Sequence, residues 1–599
     1  MCKPLTTLVL GFYFLASACI AADDALRPIT HEDVWLMKRL GSPVVSPDGS
    51  RAVVSVTQPS YEKDGSTSDL WLLRVDGQGE ALQLTATREA EGSVAWSPDG
   101  SKIAFTTKRG KDDASQVYLL NMDGPGEAIA ITSLSTGAKN PVWSPDGRYI
   151  AFESRVYPGM EDDEANAAEK KSRADSKINV SIYEHFPIRQ WDRWRDDRQT
   201  HLFVQEAASG VTAKNLLIGS KLVNEPGFAG RPTRSGDTLK AVWSPDGQSL
   251  VFNATTNLVD AAHARVIYHL YSIPLSGGEP RQLTESSTWS CHSPLFSDDG
   301  KTLYCDYKAE NKEVYNLTRL ARMDWTGKDT KAAPEIITTA FDRSVGGVAL
   351  SPDDRTIYMT AADAGRTRIF SMPATGGETR LLDPDSRGVY SGIQAAGDQL
   401  VANWQSSATA SEIVRIEPSD GSHTPISRFN VERSKGLDRP AFLEFWFDSS
   451  KGRRIHSWLA LPPGFDESKK YPLVLQIHGG PFSSSMDAGH VRWSAHLLAA
   501  PGYVVMMTDY TGSVGYGEEF SRNIQNDPLK TPAEELLEAA QAAIERYPFI
   551  DGSRQAATGA SYGGHLVNWL QATTTHFKAL VGHAGLVDLE GQYSSSDTV

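Results

Sequence analysis

The chain has 599 residues, 40% of them hydrophobic and 22% charged, and its formal net charge at pH 7 is -15. A single hydrophobic core stops growing at roughly 250 to 300 residues, so the length predicts at least two domains. The negative charge argues against nucleic acid as a partner, because a phosphate backbone is bound by clustered lysines and arginines. Beyond the N-terminus no apolar run approaches the ~20 residues that span a bilayer, which predicts no transmembrane segment.

The N-terminus is typical of a secretory signal peptide. It has one lysine, an apolar stretch over residues 5–15, and small residues before the polar sequence begins. We therefore expect residues 1–22 to be removed on bacterial export, which would place the mature protein in the periplasm or outside the cell. Cys19 offers an alternative, because the Ala-Ser-Ala-Cys sequence resembles a weak lipoprotein site at which a lipid anchor would be attached.

A repeated turn sequence divides the region from residue 23 to residue 439 into similar units. Pro presets φ and Gly accepts positive φ in such a turn, and a β-rich run follows most of its copies. Units of roughly 50 residues made of short strands bury their faces when they close into a ring. We therefore predict an all-β, seven-bladed β-propeller with an N-terminal extension over residues 23–439. Residues 395–400 are a degenerate copy of the turn, the seventh in the chain. The other six copies, Ser-Pro-Asp-Gly or a close variant, begin at Ser46, Ser97, Ser144, Ser244, Ser297 and Ser351.

The interval between Ser144 and Ser244 is about twice as long as the others, so it contains an insertion. Residues 161–177 of the insertion have mixed charge and predict a solvated helix or a flexible excursion. Residues 183–204 place tryptophans, a tyrosine and phenylalanines among charges. Aromatic and ionic residues concentrated in one insertion suit a ligand-facing loop, although an ordinary blade edge has a similar composition.

Two cysteines, Cys291 and Cys305, remain if the signal peptide is removed. Their midpoint falls in Ser-Asp-Asp-Gly, a tight-turn sequence between two alternating runs, so we expect them to lie directly opposite each other across a hairpin. In the oxidising compartment that export implies, they would form a disulfide. Two buried free thiols are the alternative.

From residue 440 onward the sequence alternates between strands and helices. Two alternating strands are followed by an apolar strand that ends in glycines near residue 480, and then by further strands and helices. This order is typical of a parallel sheet covered on both faces. We predict an α/β-hydrolase domain over residues 440–599, incomplete at its C-terminus.

Ser561 lies in the sequence Gly-Ala-Ser-Tyr-Gly-Gly, between a predicted strand and a predicted helix. In this context the pattern indicates a nucleophile, because the flanking glycines allow a sharp turn that exposes the hydroxyl. Acyl transfer also needs N–H donors where the oxyanion develops, and we expect these from Gly480 and Tyr562. His478, which precedes the glycine turn, is expected to be structural. The histidines are scattered without metal-binding spacing, so we expect no metal and no cofactor.

The motif His-Gly-Gly-Pro at residues 478–481, the segment 509–517 and the Ser561 sequence, preceded by a propeller, resemble the prolyl oligopeptidase family of serine peptidases. Residues 31–49 and 188–204 are similar to its dipeptidyl-peptidase 5 and acylaminoacyl-peptidase branch. The resemblance covers essentially the whole mature chain.

The resemblance implies a propeller that admits only short peptides to a hydrolase domain in which Ser561 is the nucleophile. It implies the same oxyanion donors, Gly480 and Tyr562. It also implies that the pocket for the residue before the scissile bond is lined by Leu586, Leu589 and Tyr593, positions that suit ordinary core packing almost equally well.

We predict an exported serine exopeptidase that releases dipeptides from the free N-terminus of oligopeptides through an acyl-enzyme at Ser561. Acylaminoacyl peptidase or oligopeptidase activity is the alternative within the family, and a non-catalytic periplasmic propeller that binds ligands is the alternative from another class. A free substrate ammonium needs an acidic partner, because an unpaired desolvated charge costs several kcal/mol. Glu184 and Asp192 in the insertion are the candidates. The sequence leaves a homo-oligomer open.

The acid and the base of the hydrolase are expected beyond the printed residues. In this fold they follow the nucleophile in the order Ser, Asp, His. The histidines after Ser561 are His565, His576 and His583, and none is predicted to arrive from a later strand. We therefore expect the chain to be a fragment of a longer peptidase that is inactive by itself.

Overall fold

The computed structural model of the protein describes residues 26–62, 65–178, 180–233, 236–327 and 333–596. The predicted signal peptide and Cys19 lie outside these residues. Within them, no helix has the length and apolar character needed to cross a membrane.

The described part of the chain contains seven antiparallel units with the strand bounds that follow, in agreement with the seven predicted blades. Blade 1 has the strands Arg39–Leu40, Val44–Val45, Arg51–Pro59, Ser66–Arg74 and Leu82–Gln83. Blade 2 has Gly92–Trp96, Lys102–Thr107, Gln116–Asn121 and Ile129–Ala130. Blade 3 has Lys139–Trp143, Tyr149–Val156, Gln199–Glu206 and Lys214–Asn215. Blade 4 has Val242–Trp243, Ser249–Ala254, His269–Pro274 and Arg281–Gln282.

The remaining blades continue the same order. Blade 5 has Trp289–Phe296, Thr302–Ala309, Arg319–Asp324 and Glu335–Ile336. Blade 6 has Val348–Leu350, Thr356–Asp363, Arg366–Pro373 and Arg380–Leu381. Blade 7 has Val389–Ala396, Gln399–Gln405, Glu412–Ile416 and His423–Pro425, and one parallel pairing of Thr367 with Val389 joins it to blade 6.

The repeated turn is held by its serine and its aspartate. In blade 2, the Ser97 hydroxyl donates to Asp99 at 2.6 Å and accepts the Lys102 N–H at 2.9 Å, while Gly100 adopts φ 70. The hydrogen bond from Ser97, followed by those from Ser101, lowers the pKa of Asp99 to about 2. The repeat therefore encodes a self-contained turn that starts the second strand of the blade.

The tryptophan before this turn links neighbouring blades. The indole N–H of Trp96 donates to the Val44 carbonyl of blade 1 at 2.9 Å, and that of Trp143 donates to Ala95 of blade 2 at 3.1 Å. Strand Val44–Val45 of blade 1 also contacts strand Val389–Ala396 of blade 7, which closes the ring. The buried clusters lie between consecutive blades, so each unit buries its faces against its neighbours, as the repeat predicts.

The hydrolase sheet has six strands among the described residues and a mostly parallel order. In spatial order the strands are Leu443–Asp448, Arg454–Ala460, Val504–Asp509, Tyr471–Ile477, Ile550–Ala560 and Ala579–His583. Pairing is antiparallel between the first three and parallel between the rest. The helices are Ala495–Ala499, Glu518–Arg522, Lys530–Arg546, Tyr562–Thr573 and Leu589–Ser595. The predicted fold class, a propeller followed by an α/β-hydrolase domain, is confirmed.

Several shorter elements lie outside the blades and the hydrolase sheet. The insertion of blade 3 contains a helix, Asp163–Asp175, and a hairpin, Arg189–Gln190 with Arg193–Trp194. Near the N-terminus, helix His31–Leu36 follows strand Arg27–Pro28, which pairs with Leu437–Asp438 at the start of the hydrolase region. The other short elements are Lys221–Asn224, Arg231–Thr233, Gly236–Thr238, Leu258–Asp260 and Val431–Ser434.

Cys291 and Cys305 lie on neighbouring strands of blade 5, where the structure joins them by a disulfide with 5.8 Å between the Cα atoms. The expectation that they oppose each other directly is wrong, because Cys291 pairs with Tyr307. The register shifts between His292 and Leu295, where a bulge offsets the two strands. The bridge therefore runs diagonally across the hairpin.

Candidate active site

Ser561 occupies the turn between strand Ile550–Ala560 and helix Tyr562–Thr573. Its backbone has φ 57 and ψ -123, a strained conformation for a residue that is not glycine. Two hydrogen bonds hold this conformation: the Ser561 N–H donates to the His583 carbonyl at 2.9 Å, and the Ser561 carbonyl accepts the His565 N–H at 3.0 Å. The side chain is exposed, so the turn presents the hydroxyl as a nucleophile elbow does.

The glycines beside Ser561 are required by close packing of the backbone. A Cβ atom on Gly563 would press on the carbonyl oxygens of Ile477 and His478, at the end of the neighbouring strand. A Cβ atom on Gly559 would press on Gly563 itself. The turn therefore sits directly against the segment that carries the predicted oxyanion residue.

Gly480 and Tyr562, the predicted oxyanion donors, line the same cleft as Ser561. Tyr562 is the first residue of its helix, so its N–H has no acceptor within the helix. Gly480 has φ 128, a value that favours glycine. Within the described residues neither N–H makes a hydrogen bond to the protein. Both groups are therefore available to an oxyanion formed at the serine.

The cleft around Ser561 has a volume of about 600 Å³. Leu586 and Leu589 line it, as the family resemblance implies, together with Gln592 and Ser595 from helix Leu589–Ser595. Tyr593 does not, and it is 77% exposed. One residue is about 100° of helix rotation, which turns Tyr593 away from the face that carries Gln592.

The propeller also contributes to this cleft, which sequence reasoning missed. Val314, from the loop between the second and third strands of blade 5, lines the cleft beside Phe482. The adjacent Tyr315 stacks on Phe482 with 5.1 Å between the ring centroids. No motif marks these residues, because the contact arises only when the two domains pack together.

His478 has structural contacts. Its ring stacks on Tyr510 with 4.4 Å between centroids, and Nε2 lies 2.9 Å from the Ser513 hydroxyl. The Tyr510 hydroxyl donates to the His478 carbonyl at 2.6 Å, and burial lowers the pKa of the imidazole. These contacts fix the end of strand Tyr471–Ile477, where the glycine turn begins.

The histidines that follow Ser561 have other partners. His565 lines the cleft with its ring edge toward Tyr562, and His576 Nε2 lies 2.9 Å from Gln555 Oε1. The His583 ring contacts Trp493. In the part of the chain that the structure describes, no imidazole hydrogen-bonds the Ser561 hydroxyl, and no three His, Cys, Asp or Glu side chains meet to hold a metal ion.

A second cleft, of about 740 Å³, contains two acids, Asp192 of the insertion and Glu310 of blade 5, together with three arginines: Arg189, Arg195 and Arg265. Burial raises the pKa of Glu310, a residue that the sequence does not distinguish from surface glutamates. Glu184, the other candidate for the amine site, is exposed and lines neither cleft, because it precedes the hairpin that carries Asp192.

The two clefts are neighbours at the end of helix Leu589–Ser595. Ser595 lines the Ser561 cleft and the adjacent Ser596 lines the second cleft. Arg189 of the insertion donates from Nη2 to the Ser595 carbonyl at 2.9 Å. This contact holds the insertion, which carries Asp192, against the hydrolase domain.

Comparisons with known proteins agree with this architecture. Residues 489–599 match the prolyl oligopeptidase family, and residues 35–178 match the TolB beta propeller domain. Dipeptidyl-peptidase 5 of Porphyromonas gingivalis is 28% identical over 98% of this chain and 84% of its own length. Dipeptidyl-peptidase 5 of Aspergillus fumigatus is 26% identical over 98% and 83%.

Solved structures share the fold. The acylaminoacyl peptidase of Pyrococcus horikoshii superposes with a TM-score of 0.72 and 18% identity, over 95% of this chain and 80% of that one. A puromycin-hydrolyzing peptidase of Mycobacterium tuberculosis superposes with a TM-score of 0.62 and 15% identity, over 96% and 82%. At these identities the likeness concerns the fold, a propeller on an α/β-hydrolase domain.

Proposed function

Because the chain belongs to the prolyl oligopeptidase family of serine peptidases, we propose that it is an exported exopeptidase that releases dipeptides from the free N-terminus of short peptides. Relatives over nearly the whole chain bear the name dipeptidyl-peptidase 5, which supports this specificity. The signal-like N-terminal sequence supports export.

In the proposed reaction, the Ser561 hydroxyl attacks the carbonyl carbon of the second substrate residue. The resulting oxyanion accepts hydrogen bonds from the N–H groups of Gly480 and Tyr562, whose alignment before reaction lowers the barrier. A general base accepts the Ser561 proton during the attack and returns it to the leaving nitrogen when the tetrahedral intermediate collapses. The peptide bond then breaks, the shortened peptide leaves as the amine, and the dipeptide remains as an ester on Ser561. Water then hydrolyses this ester and regenerates the serine.

The observation that supports free-amine specificity is a pair of carboxylates in the cleft next to the serine cleft. Asp192 and Glu310 share one cleft, and the Arg189 to Ser595 contact joins it to the site of attack. A substrate ammonium that leaves water needs such a partner, because an unpaired charge is costly to desolvate. An acylated N-terminus carries no charge and has no use for this pair.

The test uses the full-length gene product and compares dipeptidyl p-nitroanilides that have a free amine with their N-acetylated forms. We expect the free-amine substrates to be cleaved with kcat/KM at least about 100-fold higher. Asp192→Asn and Glu310→Gln should each raise KM for free-amine substrates about tenfold or more. Asp175→Asn, which changes an exposed carboxylate of the same insertion, is the matched control and should leave KM unchanged. Equal or better cleavage of the acetylated substrates would replace this proposal with acylaminoacyl peptidase activity.

A further inference from the structure

Asp487 is a buried carboxylate whose oxygens, within the described residues, accept their hydrogen bonds from the propeller. It is 0% exposed, although it belongs to the hydrolase loop that follows Gly480. Its Oδ1 accepts the Ser407 N–H at 3.1 Å and the Ser407 hydroxyl at 2.5 Å, and its Oδ2 accepts the Gly388 N–H at 3.0 Å. All three donors come from blade 7, and no lysine or arginine of the described ranges forms an ion pair with Asp487.

The backbone of Asp487 is held by blade 6. The Asp487 N–H donates to the Gly365 carbonyl at 2.7 Å, at the tip of the hairpin between strands Thr356–Asp363 and Arg366–Pro373. Gly365 has φ 70, and a Cβ atom there would lie 2.9 Å from both the His456 ring and the Ser485 carbonyl oxygen. The hairpin tip is therefore pressed against the hydrolase domain where its loop passes.

The same loop is tied to the hydrolase core at points nearer to Gly480. The Ser485 N–H donates to Asp509 Oδ1 at 2.7 Å, and the Ser485 carbonyl accepts the Trp458 indole N–H at 3.0 Å. Closer still to Gly480, the Ser483 carbonyl accepts the Val514 N–H at 3.0 Å. Residues 480–487, here called the oxyanion loop, are thus a short segment with hydrolase contacts along its length and propeller contacts at Phe482 and at Asp487.

We propose that blades 6 and 7 of the propeller position the oxyanion loop, with Asp487 and Ser407 as positioning residues that act through the Gly480 N–H. A donor stabilises the oxyanion only if it is fixed where the charge develops, and a displacement of about 1 Å can cost up to about 100-fold in rate. Six residues lie between Gly480 and Asp487, and the loop passes through no helix or strand there. We therefore expect loss of the propeller anchor at Asp487 to loosen the loop up to Gly480, against the contacts that Ser483 and Ser485 make with the hydrolase core.

The test separates positioning from simple docking of the two domains. Asp487→Asn keeps the shape of the side chain but replaces one acceptor oxygen by a donor, and it should lower kcat about tenfold with KM changed less than twofold. Ser407→Ala removes only the hydroxyl and should lower kcat about threefold. In the double variant the two effects should not multiply, because both act on one contact. Any chromogenic ester or peptide that the protein cleaves serves as substrate, so the test does not depend on dipeptide specificity.

Asp342→Asn is the matched control. Asp342 belongs to the propeller and accepts a hydrolase N–H, that of Glu518 at 2.9 Å, but it lies outside the oxyanion loop and does not line the Ser561 cleft. This variant should lower the thermal midpoint as Asp487→Asn does while kcat stays unchanged. A wild-type kcat in Asp487→Asn and Ser407→Ala would overturn the proposal, as would an equal loss of kcat in Asp342→Asn. If Asp487→Asn does not fold, Ser407→Ala against Asp342→Asn decides the question.

Discussion

Arg366 of blade 6 and Glu444 of the hydrolase sheet form an ion pair across the domain interface, with 2.5 Å between Nη2 and Oε2. His456 lies beside it, with Nε2 3.2 Å from Glu444 Oε1 and Nδ1 2.7 Å from the Tyr516 hydroxyl oxygen. The Tyr516 hydroxyl donates its one proton to Asp509, so His456 Nδ1 must donate to Tyr516. With a carboxylate facing Nε2 as well, the arrangement favours the doubly protonated imidazolium.

The stability of this interface should depend on pH on both sides of neutrality. Burial opposes the charge of His456, but the Asp509 and Glu444 carboxylates raise its pKa above the ordinary value. Its contribution is present below about pH 6.5 and is lost as the pH rises through the raised pKa. Burial also opposes the charge of Glu444, but His456 and Arg366 lower its pKa, so its contribution is present above about pH 4.5 and is lost on acidification.

We therefore expect the thermal midpoint to be highest between about pH 5 and 6.5 and to fall on either side. Thermal unfolding in matched buffers from pH 4 to 9 measures this profile. His456→Gln should abolish the fall on the alkaline side and weaken the fall on the acidic side, where the effect of Arg366 on Glu444 remains. An alkaline limb that is unchanged in His456→Gln would show that another group is responsible.

Gly365→Ala should destabilise the protein by about 3 kcal/mol, because a side chain at φ 70 is strained and its Cβ would collide with the hydrolase domain. Gly397→Ala is the matched control: Gly397 has φ 60, and no atom lies within 4 Å of an added Cβ. Gly397→Ala therefore introduces backbone strain without a collision and should lower the free energy of unfolding by about 1 kcal/mol. Urea unfolding of both variants measures the difference, and equal losses would contradict a steric role for the hairpin tip.

The sequence predicts local features, such as the repeated turn and the Ser561 elbow, well, and it predicts the interface between the two domains poorly. The turn repeat predicts seven blades because each turn is held by its own serine and aspartate, and the Ser561 pattern predicts an elbow because the glycines are demanded by adjacent backbone. Periodicity and motif carry such information whenever the cause lies within a few residues.

Long-range contacts cannot be predicted from local sequence patterns in this way. Asp487, Glu444 and Glu310 are ordinary acids in the sequence, and their roles depend on blades that lie far away along the chain. The bulge near His292 likewise shifts a register that the symmetric spacing of the cysteines does not reveal. Glu184 and Asp192 are only eight residues apart, yet of the two only Asp192 lines the second cleft, because it lies in the turn of the hairpin that Glu184 precedes.

Ser561→Ala should abolish turnover, with kcat lower by about 10⁵-fold or more, since no acyl-enzyme can form. A fluorophosphonate probe followed by peptide mass mapping should locate the label on Ser561 in the native protein. Ser553→Ala, which changes an exposed serine of the same strand, should be labelled at the wild-type rate. Persistent labelling or turnover in Ser561→Ala would identify a different nucleophile.

The apolar part of the cleft should select the residue before the scissile bond. Leu586→Asp places a charge where an apolar side chain is bound and should lower kcat/KM for substrates with leucine or phenylalanine there by about 10-fold to 100-fold. Tyr593→Ala is the control, since Tyr593 is exposed outside the cleft. If Tyr593→Ala changes selectivity and Leu586→Asp does not, the pocket lies on the other face of helix Leu589–Ser595.

The disulfide between Cys291 and Cys305 should make the oxidised protein more stable than the reduced protein. Both cysteines are almost fully buried, and the bridge closes a loop with a sequence separation of 14. Alkylation of the denatured, unreduced mature protein should find no free thiol. On the chain-entropy account such a loop is worth about 3 kcal/mol, so a reductant should lower the free energy of unfolding by about that amount. The double variant Cys291→Ala, Cys305→Ala should be insensitive to the reductant. Two alkylated thiols in exported protein would contradict the bridge and make the pair a buried apolar contact of blade 5.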